Sequence, residues 1–393
     1  MAATMETSPD RTRLIETLAS LVAANTENPP GREIEAAKYL ASLLAGLGFQ
    51  VNLQDVAEGR PNVVARLENG PGPVFAFNSH MDVVPAGSGW TSDPFKLRSR
   101  NGRLFARGAC DAKGPIAAMV EAIRMLCAAR ERWSGTLLAV FVVDEEVASR
   151  GARAYVADKP KIDLCIVGEP TSNMVVIAHK GSMRPLVRVK GIPAHSASPD
   201  KGDNALYKAA HLLLMIEQRH RALASASHPL LGSPSLTVTR IHGGHADNVV
   251  PEACELLLDR RMIPGESDDD VRKQFEKLLA EAKALHGVEA EIVEYRPTTG
   301  GATETKADQP IVISAAHAAQ CHGVHDHTLH GLQGACDLVH FRSVGAQGIV
   351  LGPGALDVAH KPDEFVPEDE LIASSLIYRD TVLDLLKRAG AVR

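Results

Sequence analysis

Val74-Phe75-Ala76-Phe77-Asn78-Ser79-His80-Met81-Asp82 opens the stretch whose reading decides the fold. Val74 to Phe77 is apolar at every position, the pattern of a central strand covered by helices on both faces. The run stops at a histidine and an aspartate two residues apart. Further on, Arg107-Gly108-Ala109-Cys110-Asp111-Ala112-Lys113-Gly114 sets another aspartate shortly before Pro115. That proline opens a helix carrying Ile116, Met119, Val120, Ile123 and Leu126. A histidine and two aspartates placed where regular structure gives way to turns read as the start of a metal site.

Two more apolar strands end the same way. Residues 137–143 run into Asp144-Glu145-Glu146, and residues 162–167 run into Gly168-Glu169-Pro170. Late in the chain a strand at 348–351 precedes Gly352-Pro353-Gly354 and then Ala359-His360-Lys361-Pro362-Asp363-Glu364. In open α/β sheets the ligand crevice lies at the carboxyl ends of the strands, where these residues belong. Each has a plain structural reading alone: His80-Met81-Asp82 as a hydrogen-bonded turn, Asp111 as a helix cap, Glu145-Glu146 as a solvated turn, Glu169 as part of a surface loop. Together they cluster at sheet ends, and carboxylates so crowded repel unless a cation sits among them. Two histidines with several carboxylates suit Zn²⁺, with Mn²⁺ or Co²⁺ as possible substitutes.

Around these strands the pattern alternates. Ser8 is the expected N-cap of a first helix with Pro9 in its first turn, and Leu14, Leu18, Leu21 and Val22 share one face. A helix over 32–47 stops at Gly48. Phe49, Val51 and Leu53 alternate as in a strand, as do Val63, Ala65 and Leu67. From Ser182 the order changes to strand (185–189), helix (203–224), strands (236–241 and 254–262), helix (267–285) and strand (288–293). That is βαββαβ, enough for a ferredoxin-like unit inserted into the first. Helices at 310–321 and 368–386 follow a Thr- and Gly-rich re-entry segment, 298–309. The expected fold is therefore α/β, with a mixed, largely parallel central sheet flanked by helices. The expected boundaries are 1–180 and 296–393 for the catalytic domain and 181–295 for the inserted one.

Bulk properties agree. The 393 residues suit two domains, and 45% apolar with 23% charged residues is ordinary for a globular chain. A formal charge of -6 argues against a nucleic-acid surface. No apolar run approaches the roughly 20 residues needed to span a bilayer. Residues 1–10 lack a basic region followed by a hydrophobic one, so no secretory signal is expected. The cysteines (Cys110, Cys127, Cys165, Cys254, Cys321, Cys336) form no CxxC pair and read as reduced thiols of a cytoplasmic protein.

These motifs resemble the metallopeptidase and deacylase family of acetylornithine deacetylase, succinyl-diaminopimelate desuccinylase, aminoacylase and carboxypeptidase G. The likeness is nearly full length and rests on five ordered segments: His80 to Pro85, Arg107 to Gly114, Asp144 to Glu146, Gly168 to Thr171, and Ala359 to Glu364. It implies a zinc-peptidase-like catalytic domain with two Zn²⁺ per chain. Asp111 would bridge both ions, His80 and Glu169 would complete one, and Glu146 and His360 the other. Asp82 would accept the second ring N–H of His80 and fix its tautomer. Glu145 would be the general base; neighbouring side chains on extended backbone point opposite ways, which lets Glu145 and Glu146 hold separate jobs.

The resemblance also makes the inserted unit a dimerisation and lid domain, so a homodimer is expected. Gly191-Ile192-Pro193-Ala194-His195-Ser196-Ala197 is similar to the family segment whose histidine reaches the partner subunit's active site and helps hold the oxyanion. Asn248 and Arg261 fall in segments that contact substrate, Arg261 as a carboxylate clamp. Without the family, Arg260 and Arg261 read as a surface ion-pair strand. Some positions depart from the pattern: Ala112 replaces a methionine, Gly151 comes later than in relatives, and Gly334-Ala335-Cys336-Asp337-Leu338-Val339 lacks the arginine many relatives carry. His317, His322, His325, His327 and His330 follow no ligand spacing and read as solvated or packing residues.

The expected activity is removal of the acyl group from an N-acyl amino acid, as in acetylornithine deacetylase. A dipeptidase, a glutamate-releasing carboxypeptidase or a desuccinylase on the same scaffold is the alternative. A binding protein with a degenerate site is a remote one, because every metal and base position is intact.

Overall fold

The computed structural model describes residues 8–388, so most of the segment read for a secretory signal lies outside the described residues. Helix α1 (Arg11–Ala23) buries Leu14, Leu18, Leu21 and Val22, the face its spacing predicts. Its N-cap is Asp10 rather than Ser8: Asp10 is extended, and its carboxylate accepts the Arg13 amide at 3.0 Å. Helix α2 (Ile34–Gly46) is closed by Gly48 at φ +89°. The hairpin β1 (Gln50–Ala57) and β2 (Arg60–Asn69) follows, then β3 (Val74–His80), buried along its whole length. Short strands β4 (Arg98–Arg100) and β5 (Arg103–Phe105) precede α3 (Lys113–Ala128). Then come β6 (Gly135–Val142), also wholly buried, α4 (Arg150–Val156), β7 (Leu164–Val167) and β8 (Val176–His179).

The middle of the chain supplies β9 (Gly181–Lys190), α5 (Ala205–Leu223), β10 (Ser235–Gly243), β11 (Ala253–Met262), α6 (Asp268–His286) and β12 (Ala290–Arg296). Helices α5 and α6 start at side-chain caps, Asn204 and Ser267. The short β13 (Thr303–Glu304) leads to α7 (Pro310–Cys321), β14 (His330–Leu332), α8 (Leu338–Ser343), β15 (Gln347–Val350), β16 (Phe365–Pro367) and α9 (Glu368–Leu385).

The chain divides into two compact units. One comprises the residues up to Ile177, Thr305–Gly331 and the residues from Cys336 on; the other comprises Ala178–Glu304 with Leu332–Ala335. The second therefore reaches beyond the 181–295 read from sequence. The reason is backbone pairing: Thr303 and Glu304 pair with His179 and Ala178, and the Lys180 amide donates to the Leu332 carbonyl at 3.0 Å. Two-residue strands leave no periodic signal.

In the first unit the sheet runs β1-β2-β6-β3-β7-β15-β8. Its central strands β6, β3, β7 and β15 are parallel, and β1, β2 and β8 are antiparallel to their neighbours. The register aligns His80 with Val142 and Asn78 with Val167, so β3, β6 and β7 end along one edge. In the second unit the antiparallel order β10-β11-β9-β12 is that of a ferredoxin-like sheet. Its core packs Val187, Leu256 and Leu258 against Leu212 of α5 and Phe275 of α6. Missing from the sequence pattern were β4, β5, β8, β14, β16, α4 and α8, each too short to show a period. Three of them, β16-β5-β4, form a small sheet of their own.

His179 in the second unit yields a stability prediction. It is wholly buried, its Nδ1 lies 2.9 Å from the Lys180 carbonyl oxygen, and burial pushes its pKa down to about 4. The unfolded chain, with a histidine near 6.5, binds more protons between those values, so this contribution is lost as pH falls from 6.5 towards 4. On the order of 2 kcal/mol should disappear between pH 7 and pH 5. Urea unfolding of wild type and His179→Gln at both pH values checks this; parallel profiles would remove His179 as the source.

Candidate metal centre

His80 is the last residue of β3 and is buried. Its Nδ1 lies 2.9 Å from the Asp82 carbonyl oxygen, which takes the ring proton and leaves the Nε2 lone pair facing inward. Nε2 is 3.1 Å from Asp111 Oδ1 and 3.8 Å from Glu169 Oε2. The nearer contact of Nδ1 is thus the main chain of Asp82, with the Asp82 carboxylate also beside it at 3.6 Å. That carboxylate accepts the amides of Glu145 at 3.0 Å and Glu146 at 3.2 Å.

Asp111 sits in the turn before α3, and the Asp111–Ala112 peptide is cis. The amides of Cys110 and Asp111 both donate to Glu364 Oε1, at 2.9 and 3.0 Å. Glu364 in turn pairs with the buried guanidinium of Arg107 at 2.5 Å. Held in this way, Asp111 offers Oδ1 to His80 and Oδ2 to His360, whose Nε2 lies 3.2 Å away. His360 adopts φ +62° in the loop after β15, and half of its side chain is exposed.

Glu145 and Glu146 follow β6 after Val143 and Asp144. Glu146 Oε2 is 3.2 Å from His360 Nε2, and ligand atoms of His80, Asp111 and Glu146 all lie within 4.8 Å of one another. Glu169 leaves the end of β7 and points to the His80 side. Two oxygens, Glu146 Oε1 and Glu169 Oε1, are buried with no hydrogen-bond partner among the described residues. Buried polar atoms are nearly always satisfied, and both of these belong to the cluster around Asp111, where they are free to take a further partner.

The electrostatics agree. Burial, then the Asp111 charge, pushes Glu146 up to about 7, and burial lifts Glu169 to about 7 against the opposing pull of His80. Burial and the Glu169 charge raise Glu145 well above an ordinary carboxyl. Asp111 goes the other way: burial alone would raise it, but hydrogen bonds with His360 and His80 hold it low. Contacts with Asp111 and Glu146 lift His360 to about 10. Two imidazoles, a shared carboxylate and two flanking glutamates form a nitrogen–oxygen donor set that fits borderline divalent cations such as Zn²⁺.

The remaining predicted residues belong to the second unit. His195 is exposed, and its Nδ1 accepts the Ala197 amide at 3.1 Å, which leaves Nε2–H as a free-facing donor. His195 bridges to Val249, and the Ser196 amide donates to the Asn248 carbonyl at 2.9 Å, so His195 and Asn248 occupy adjoining segments. Arg261 is already engaged by Asp259, Nε to Oδ1 at 2.6 Å. Nη2 also reaches Asp259 Oδ2 at 3.3 Å, so the pair occupies the Nε edge of the guanidinium. Arg260 is buried and paired with Glu266.

Sequence reading gave no role to Glu364 or Asn28. Glu364 stood inside a recognised segment, four residues after His360. Asn28, whose Nδ2 lies 2.8 Å from Asp82 Oδ2, stood only in a turn-forming Asn-Pro-Pro-Gly run far from any motif.

Residues 76–384 match the model of peptidase family M20/M25/M40. Acetylornithine deacetylase of Vibrio campbellii (strain ATCC BAA-1116) is 32% identical, over 89% of this chain and 89% of that protein. A probable succinyl-diaminopimelate desuccinylase of Staphylococcus epidermidis is 30% identical, covering 98% of this chain and 100% of that protein. Among solved structures, the M20 family metallo-carboxypeptidase Sso-CP2 of Sulfolobus solfataricus superposes with a TM-score of 0.78 at 21% identity, over 94% of this chain and 98% of that one. The chain belongs to peptidase family M20/M25/M40.

Proposed function

We propose that this protein is a di-zinc amidohydrolase that removes the acyl group from an N-acyl amino acid. Family membership makes it an enzyme acting on amide bonds. The observation that carries the finer reading is Asp111, whose two oxygens face two different imidazoles, each with a further glutamate beside it. Asp111 with His80 and Glu169 would hold one cation, and Asp111 with Glu146 and His360 the other. When bound, the pair would polarise the amide carbonyl and acidify the attacking water.

Within that site Glu145 takes the proton from the attacking water and later delivers it to the departing amine. Burial and the Glu169 charge raise Glu145 well above an ordinary carboxyl, which makes it a stronger proton acceptor than a solvated glutamate. The exposed Nε2–H of His195 would donate to the oxyanion, in a dimer to that of the partner's substrate; its Nδ1, which accepts the Ala197 amide, supports this reading. Arg261 and Asn248 would engage the substrate's α-carboxylate and adjoining polar groups. A homodimer through the second unit is supported by its edge strand β10 and by exposed Ile192, Tyr207, Leu214 and Ile241. No helix among the described residues is long and apolar enough to cross a membrane. The cysteines are free, four of them buried, which suits a reducing compartment, and we place the enzyme in the cytoplasm.

A deacetylase substrate is favoured by the acetylornithine deacetylase relative. Desuccinylase or dipeptidase activity on the same scaffold is the second reading, favoured by the full coverage of the desuccinylase relative.

The direct test is hydrolysis of N-acetyl and N-succinyl amino acids and dipeptides with zinc, manganese and cobalt. Turnover of an N-acetyl amino acid, abolished by a chelator and restored by metal, is expected. Clear preference for dipeptides would reverse the ranking, and full activity in chelator-stripped protein would sink the metal reading. Glu145→Gln should cut kcat by about 10²–10⁴-fold while keeping its zinc content, as loss of a general base does. Unchanged turnover would take Glu145 out of the mechanism. Inactive His195→Ala and Glu145→Gln subunits, mixed under conditions of subunit exchange, should regain part of the activity in heterodimers. No recovery once exchange is verified means that His195 does not act across the dimer.

A further inference from the structure

Beneath the Glu145–Glu146 turn runs a continuous chain of buried polar groups. Asp82 is fully buried, and its carboxylate accepts three donors: the Glu145 amide, the Glu146 amide and Asn28 Nδ2 at 2.8 Å. The same Asn28 Nδ2 lies 3.0 Å from Asp144 Oδ1. Asp144 also accepts Arg60 Nη1 at 3.1 Å and Arg150 Nε and Nη2 at 2.8 and 3.1 Å. Arg60 closes the chain with a two-point pair to Glu33, Nε to Oε2 at 2.9 Å and Nη2 to Oε1 at 2.6 Å. Glu33 and Asp144 are wholly buried, and Asn28 and Arg60 nearly so.

The charges along this chain show why an asparagine stands in the middle. Asp144 is compensated by two arginines, whereas Asp82 accepts its three short hydrogen bonds from uncharged N–H groups and has His80 Nδ1 3.6 Å away. An amide NH₂ has two N–H bonds and no charge, so Asn28 can serve both carboxylates at once. It ties them together without cancelling the negative charge of Asp82, which lies 3.6 Å from His80 Nδ1. Asn28 is itself fixed by its own amide, which donates to the Val83 carbonyl at 2.8 Å. Val83 adjoins Asp82, so the loop carrying Asn28 grips the strand end from the main chain and from the side chain.

Resting on the proposed function, we infer that Asn28 is a positioning residue for the metal centre. Through Asp82 it holds the amides of Glu145 and Glu146, and with them the proposed base and a proposed ligand. It touches neither substrate nor ligand atoms. Partners of this kind commonly change metal affinity or activity by about 10–100-fold when removed.

Two substitutions in the full-length protein separate positioning from packing. Asn28→Ala removes the donors and leaves space. Asn28→Asp keeps the shape but replaces the donors with a third carboxylate facing Asp82 and Asp144. Zinc affinity is read by competition with a chromophoric chelator, kcat and KM on the best N-acyl substrate, and the thermal midpoint as a check on folding. Positioning predicts that Asn28→Ala loses about 10–100-fold in kcat or zinc affinity with KM little changed, and that Asn28→Asp loses more. A space-filling role predicts the opposite order, with Asn28→Asp near wild type; that order, or wild-type values in both variants, overturns the inference. Should Asn28→Asp fail to fold, Asn28→Ser, which keeps one donor, must fall between Asn28→Ala and wild type, and a serine variant no better than alanine also overturns it. The zinc titration needs no substrate, so a wild type inactive on the whole panel removes the proposed function and leaves the Asn28 result readable.

Discussion

Asp111 is buried and divided between two histidines, 3.1 Å from one and 3.2 Å from the other. A carboxylate shared in this way fixes the spacing of everything around it. His80 ends one strand, Glu146 follows the strand beside it, and His360 arrives from a loop near the far end of the chain. Three remote segments must therefore agree on one position to within tenths of an ångström. Burial sharpens the demand, because charges withdrawn from water survive only when paired or coordinating.

Parallel strands deliver the coarse placement, and main-chain amides the fine one. Glu364 collects the amides of Cys110 and Asp111, and Asp82 collects those of Glu145 and Glu146. In each case a distant carboxylate grips the backbone of a turn that carries a proposed ligand. With the turn held through its main chain, Glu146 keeps Oε2 for His360 at 3.2 Å and Oε1 without a partner among the described residues. Glu364 is itself locked by Arg107, and Ala106 donates to the Glu364 carbonyl at 3.0 Å. Removing one grip loosens a turn; it does not remove a ligand.

Much of this was legible in the sequence. The uniformly apolar runs ending in His80, Glu145 and Glu169 announced both the central strands and the edge where the site lies, since a strand buried on both faces allows few polar residues until it ends. The inserted βαββαβ order was equally plain from its alternating periods. What escaped were contacts made by short or polar segments. Arg98-Ser99-Arg100 has no apolar period and exists as a strand only because Arg103 to Phe105 pair with it. Ser8 yielded its capping role to Asp10, two residues on, because either side chain satisfies the sequence rule and only the fold chooses. Asp82 was read as the partner of His80 through its carboxylate, but its carbonyl is the nearer contact, and its carboxylate also takes the Glu145 and Glu146 amides. A side-chain pattern cannot reveal a bond made by the main chain.

In the function proposed above, the metal ligands and the base address the bond that breaks, and any carbonyl presented to them would meet the same groups. Choice of substrate must therefore come from residues that touch the acyl group, the side chain or the α-carboxylate. Asp337 is buried in the first unit, and burial raises its carboxyl to about 6. Arg261 is tied to Asp259 through Nε and Nη2, which fixes its guanidinium on the strand. The N–H bonds left on Nη1 and Nη2 can still make a two-point contact with a ligand's carboxylate. An arginine held in this way is preorganised for a ligand that carries such a group, and it has nothing to offer one that lacks it.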